Sequence, residues 1–198
     1  MLASPVWVGD NRGMKHLAPE QLMAGLDHIC EAPRDRGELV AIVRRPAAGE
    51  REVLSQATLD DAVGLVGDSW LDRGSTSTPD GSAAPEKQVT VMNVRVAELV
   101  AGGRERMPLA GDQLYVDLDL SVANLPAGSL IQLGTAVLEV SAAPHLGCAK
   151  FVDRFGAAAM QFVNSRLGRE LRLRGVNTCV VVPGAIRVGD VAVVVSAT

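Results

Sequence analysis

Apolar residues recur at helical spacing in the first part of the chain. Over residues 19–31 they fall at Leu22, Met23, Leu26, Ile29 and Cys30, the stripe of an amphipathic helix. Pro19 suits its first turn, and Ala32-Pro33 ends it. Cys30 lies on the stripe and reads as an inert core thiol. His28 falls at the polar edge. Residues 1–18 show no clear period.

After this helix the period changes. Residues 37–45 read as a strand, closing on Arg44-Arg45-Pro46, with residues 51–57 as its hairpin partner. Thr58 followed by Asp61 comes close to a capping box, which predicts a short helix to Val66. Residues 72–86 are rich in Ser, Thr, Gly and Pro and lack a period. They predict a long flexible loop, of the kind that can serve as a lid. A strand at residues 89–91 and a short helix at 94–100 follow. Residues 114–120 alternate apolar and polar, a strand with one buried face. Two later segments, 128–140 and 184–195, each read as strand, glycine turn, strand. Between them an Ala-rich helix spans about residues 156–167, with Ala159, Phe162, Val163 and Leu167 inward and Gly168 at its end.

Many short strands with glycine turns and few helices predict a mainly β, α+β fold built on a β-barrel. The expected division is an N-terminal helical extension, residues 1–36, packed on one domain, residues 37–198. The 198 residues are 47% hydrophobic but only 3% aromatic, so Val, Leu, Ile and Ala must build the core. Net charge is −4, and no basic run is interleaved with aromatics, which argues against nucleic acid as a partner. No apolar run is long enough to span a membrane. The first residues lack a signal-peptide core. Three cysteines at positions 30, 148 and 179 do not make a disulfide framework. The expectation is a cytoplasmic protein in a reducing compartment, with no membrane partner.

The candidate chemistry gathers around Cys148. The run His145-Leu-Gly-Cys148-Ala-Lys150 leads to Arg154, and Arg172 and Arg174 come shortly after. A thiol among cations and before a helix is poised to be a thiolate. A thiolate serves sulfur chemistry, nucleophilic catalysis or a soft metal. His145 with Cys148 makes H-x-x-C, a weak zinc signal with too few other ligands near it. Arg172 and Arg174, two apart, would share a strand face and suit a phosphate. Cys179 sits in an apolar strand and reads as a packed core thiol.

The pattern Pro144-His145-Leu-Gly147-Cys148-Ala-Lys150-Phe, Arg154-Phe-Gly156, Leu173-Arg174-Gly175-Val and Pro183-Gly184-Ala-Ile186-Arg187-Val-Gly189-Asp190 resembles the MOSC domain. The name denotes the C-terminal domain of molybdenum cofactor sulfurases and its stand-alone relatives. The likeness runs over about residues 109–195, with a weaker echo over 37–70 that includes Gly64-Leu-Val-Gly67-Asp68. It implies a strand-rich, barrel-like fold and either binding of molybdenum cofactor (molybdopterin) or carriage of sulfur, as a persulfide, on a cysteine. In the reductase branch, similar to the mitochondrial amidoxime-reducing component, that cysteine ligates molybdenum. Cys148 matches it. His145, Lys150, Arg154, Arg172 and Arg174 are then the candidate cofactor-binding residues, gripping the phosphate by charge. The resemblance also has departures. The expectation is of no pyridoxal-phosphate domain of the sulfurase kind, since 198 residues are too few to hold one, and of no iron–sulfur or flavin domain. Gly111-Asp112-Gln113-Leu114 stands where a Gly-Glu-Asn-Leu type segment is usual. Three readings stay open: a molybdenum-dependent oxidoreductase with separate electron-donor proteins, a non-catalytic sulfur or cofactor carrier with a separate sulfur donor, and a metal-free thiol enzyme with Cys148 as nucleophile and His145 as base. A fourth is a domain that has lost its site.

Overall fold

The computed structural model describes residues 16–195. Helices α1 (Pro19–Ala24) and α2 (Leu26–Cys30) come first, then β1 (Arg36–Arg44), β2 (Glu52–Leu54), β3 (Gln56–Asp60) and β4 (Gly64–Leu65). Next are α3 (Trp70–Arg73), β5 (Val89–Asn93), α4 (Val94–Ala101), β6 (Leu114–Val116), β7 (Leu130–Leu133) and β8 (Ala136–Val140). The chain continues through α5 (Ala149–Asn164), α6 (Arg166–Glu170), β9 (Val176–Val182), β10 (Gly184–Arg187) and β11 (Val191–Val195). Seven strands close a mixed barrel in the order β1, β6, β5, β9, β8, β7, β11, with β11 pairing back onto β1. Only β5 and β6 run parallel among these pairs. β2 extends β1, and β10, β3 and β4 make a small second sheet.

The two-residue period of the strands sorts side chains between two cores. Leu114 and Val116 of β6 face the barrel interior with Leu39, Ile42, Val91 and Leu138. Tyr115, between them, faces the helices, in a core with Met92, Phe151, Phe155 and Val163. Its hydroxyl donates to the Met107 carbonyl at 3.1 Å and so pins the 3-10 segment Arg104–Ala110 beneath the barrel mouth. Leu22 and Ile29 of the first helices join this second core. α5 presents Phe151, Phe155, Ala159, Phe162 and Val163 to it, the i, i+4, i+8 face of one helix.

Several sequence expectations are corrected here. Residues 58–66 do not form a helix. They form the β3–β4 hairpin, because the Asp60 carboxylate accepts from the Ala62 and Val63 amides and bends the chain. An Asp side chain of this kind favours a turn as readily as a helix start. The hairpin buries Leu59 opposite Leu65. The 184–195 segment holds two strands that do not pair with each other: β10 pairs with β3, while β11 pairs with β1 and β7. The expected strand at 114–120 ends at Val116, although Leu118 and Leu120 stay buried. The helix expected from residue 156 begins at Ala149, since Phe151 and Phe155 share its inward face, and it kinks at Gly156 (φ 86°). It also stops earlier, at Asn164, because Ser165 caps α6 by accepting from the Gly168 amide. Cys30 is exposed, at the last residue of α2, rather than in the core. The helix divides at Gly25, and Ile29 is the buried residue of its second piece.

Candidate functional site

Cys148 occupies the N-cap position of α5, whose first stretch runs to the break at Gly156, with extended backbone (φ −124°). Its carbonyl accepts from the Phe151 and Val152 amides, at 2.8 and 3.2 Å, while its thiol is exposed. The helix therefore aims the positive end of its dipole at the residue that carries the sulfur. The preceding backbone is held in place. Gly147 donates its amide to Asn164 Oδ1 at 3.0 Å, tying the start of α5 to its end. A Cβ at Gly147 would lie 2.5 Å from Met160 Sδ, so the glycine beside the cysteine allows close packing.

Cys148 lies on the rim of a cleft of about 570 Å³. His145, Lys150, Arg154 and Arg174 line it too, as the sequence pattern anticipates. The fold adds Arg45 and Arg51 from the end of β1 and the connection to β2, Arg73 from α3, and Lys87. Seven cationic side chains thus face one cleft, with Asp72 as the acid among the described residues that line it. Asp72, Arg73 and Lys87 bring both ends of the 72–86 loop to its edge.

Three of the arginines are fixed in the same way. The 3-10 segment ends on carbonyls without helical partners, a common need at helix C-termini. Arg154 donates to the Leu109 carbonyl at 2.7 Å, Arg174 to Ala110 at 3.0 Å and Arg45 to Gly111 at 2.8 Å. Arg45 also forks onto the buried Asp68, both contacts at 2.8 Å. Arg51 differs. It is buried at 7% exposure, it has no carboxylate partner among the described residues, and its Nε has no hydrogen-bond partner. Burial, reinforced by Arg154 and Arg45, pushes its guanidinium down to about 10. Its Nη1 donates to the Glu50 carbonyl, which leaves the buried charge without an acid to offset it.

Asp112 is the hub of the opposite wall. It is fully buried, accepting from Arg174 at 2.6 Å and from His145 Nε2 at 2.8 Å. Burial opposes its charge, but Arg174 and His145 outweigh burial and hold the carboxyl down at about 2. His145 is pushed below the ordinary histidine range, by burial first and then by Arg174, against the pull of Asp112. The consistent assignment is a neutral His145 donating its Nε2 proton to an ionised Asp112. Arg174 also stacks over the Phe151 ring, 5.1 Å from its centroid, which ties this wall to the first turn of α5.

One sequence expectation about the site fails. Residues 171–174 form a turn, not a strand, so Arg172 and Arg174 do not share a face. Arg172 adopts a left-handed backbone (φ 49°), donates to the Leu125 carbonyl, and faces a different chamber from the cysteine cleft. Cys179 lies in β9 as expected, but it is half-buried, with its Sγ toward the Glu139 carbonyl, and not packed in the core. The H-x-x-C pair gathers no metal-binding cluster: His145 Nε2 is engaged by Asp112, and among the described residues no group of three or more His, Cys, Asp or Glu is placed to hold an ion. Sequence reasoning missed Asp112, Arg45, Arg51 and Asn177. The Arg44-Arg45 pair at a strand end was the available signal. Asp112 stood in view as a departure from the family pattern.

No family model matches the chain, and no curated protein matches it in sequence. Solved structures do match. The YuaD protein from Bacillus subtilis superposes with a TM-score of 0.62 at 17% identity, over 82% of this chain and 97% of that one. YiiM from Geobacillus stearothermophilus gives 0.56 at 15% identity, over 81% of this chain and 75% of that one. YiiM from Escherichia coli gives 0.52 at 19% identity, over 82% and 71%. Likeness at these identities shows the fold, which is the MOSC-like, α+β barrel that the sequence resemblance implies.

Proposed function

We propose that the cleft binds molybdenum cofactor, with Cys148 as the protein ligand to molybdenum, and that the protein is a molybdenum-dependent oxidoreductase. The observation that carries this reading is the conjunction of an exposed thiol with Arg51, a buried cation that meets no carboxylate among the described residues. Asp68 and Asp112 offset Arg45 and Arg174, but five further cations, Arg51, Arg73, Lys87, Lys150 and Arg154, face the cleft with one lining acid, a field that favours an anion. Molybdopterin carries a phosphate, which arginine forks suit, and a soft metal, which a thiolate suits. The residues present therefore fit the group.

In this reading Arg51, Arg154 and Lys150 hold the phosphate, and Arg45, fixed by Asp68, shapes the site beside them. Asn177 and Thr90 line the floor and offer polar atoms to the pterin edge. Cys148, steadied through Gly147 and Asn164, presents its sulfur to the metal. When bound, the cofactor supplies the two-electron redox chemistry, and the protein supplies position and electrostatics. His145 and Asp112 keep a neutral imidazole at the wall of the cleft, a group able to hold or pass a proton there. Electrons come from separate donor proteins.

The exposure of Cys148 favours a second reading, in which the thiol carries a persulfide, or the cleft carries the cofactor, for delivery to a partner. One experiment separates the two. The chain and its Cys148→Ser variant are purified from a host that makes the cofactor, and molybdenum, pterin and labile sulfur are measured per chain. Near-stoichiometric metal and pterin in the wild type, with metal lost in the variant, supports the first reading. Sulfur released by a thiol reductant, with no metal, supports the second. Absence of all three overturns both.

A further inference from the structure

A second chamber of about 330 Å³ lies behind the cysteine cleft. Its size is typical of a small-molecule site. The two share His145, Arg174 and Asn177 as a common wall. The remaining lining comes from elsewhere, mainly the 141–146 segment after β8 and the α6 region. Its apolar side is formed by Val122, Pro144, Leu146, Val163 and Val176. Its charged side is formed by Arg169, Arg172 and Arg174, and no acid is among the described residues that line it.

The arginines here are short of partners. Arg169 donates to the Asn164 carbonyl and Arg172 to the Leu125 carbonyl, and neither meets a carboxylate among the described residues. Arg174 has one acid, Asp112, but its Nε is buried without a hydrogen-bond partner. Arg172 is held half-buried by a left-handed backbone that a non-glycine residue rarely adopts. Such strain is kept only where the surroundings over-determine it.

The geometry points to a second ligand site in this chamber, taking a small carboxylate with an apolar body. The carboxylate meets the fork of Arg172 beside Arg174, and the body lies against Val122, Val163 and Val176. An apolar body alone would leave Arg172 without a carboxylate. A bare inorganic anion would leave the valine side wet. A monocarboxylate satisfies both sides.

The probe is para-fluorobenzoate, titrated into the full chain and followed by fluorine NMR and amide chemical-shift mapping. Shifts are expected on Val122, Leu146, Val163 and Val176, and not around Arg45, Arg51 and Gly111. The neutral para-fluorobenzamide should bind about tenfold more weakly or worse, the loss expected for a charge-assisted hydrogen bond. Arg172→Met should weaken the acid by a similar factor. Val122→Glu places a negative charge on a rim residue that is 49% exposed. It should keep the wild-type amide spectrum and lose the acid. Shifts centred on the cysteine cleft, equal binding of acid and amide, or no shifts up to the solubility of the probe would each overturn the site.

Discussion

At the scale of single residues, Asp112 and Arg51 stand at opposite ends of one electrostatic scheme. Asp112 is a buried acid with two partners. Asp112→Asn leaves Arg174 without its counter-charge, and loss of one partner of a buried pair costs about 3–5 kcal/mol. Chemical denaturation at neutral pH measures it. The pH dependence follows from both shifts. Asp112 is held at about 2, against about 3.9 unfolded, so its contribution is complete above the unfolded value and lost as pH falls through the folded one. His145 is also lowered, so below about pH 6.5 the unfolded chain takes up the proton first and stability declines. Both groups weaken the fold in acid. His145→Gln should flatten the part of the stability profile just below pH 6.5 while leaving the steeper loss near Asp112. Arg51 has the reverse character. Arg51→Met removes a buried, unpaired cation, and the apo protein should gain about 1 kcal/mol or more. The same variant should lose the rise in Tm that inorganic phosphate gives the wild type. A fall in apo Tm, or an unchanged phosphate effect, would count against Arg51 as the anion anchor.

At the scale of elements, the site depends on how α5 and β9 begin. Gly175 stands at the entry to β9 with φ 96°, and a Cβ there would lie 2.3 Å from the Val91 carbonyl oxygen. Backbone cannot yield as a flexible side chain can. Gly175→Ala should destabilise by about 2 kcal/mol or more, and it should displace Arg174 from Asp112, next to it in the chain. Thermal denaturation reads the first effect, and loss of the His145 titration shift by NMR reads the second. At the other start, Asn164→Ala releases Gly147 from the end of α5. The expected cost is about 1 kcal/mol, together with faster alkylation of a less constrained Cys148. An unchanged alkylation rate would show that the tie does not position the thiol.

At the scale of the whole molecule, a chain with net charge −4 concentrates cations in one cleft. The global and local signs are opposite, so small anions are drawn to the cleft while the surface repels them elsewhere. Affinity for inorganic pyrophosphate should fall steadily as sodium chloride rises, and titration calorimetry at several salt concentrations checks this. The barrel itself supplies the rigidity. Its closure through β11 onto β1 leaves the cleft walls, β1, β9 and the start of α5, attached to one frame.

Local chemistry wrote much of this into the sequence. The strands at 37–45, 89–91 and 128–140, the helical stripe over 19–31, the helices at 94–100 and 156–167, and the cations around Cys148 follow from periods and residue types within one stretch of chain. The MOSC-like barrel was legible through motifs within residues 109–195. Tertiary structure decided what depends on residues distant in sequence. Residues 58–66 became a hairpin because burial of Leu59 against Leu65 outweighed a capping signal. β10 and β11 found separate partners because barrel closure and the small sheet compete for the same stretch. Arg45 and Arg51 reached the cleft from the far end of β1, and Asp112 met His145 across 33 positions. Charge pairing across such separations leaves no period to read. The same gap set Arg172 in the second chamber alone while Arg174 lines both that chamber and the cleft, since a turn replaced the strand that would have aligned them.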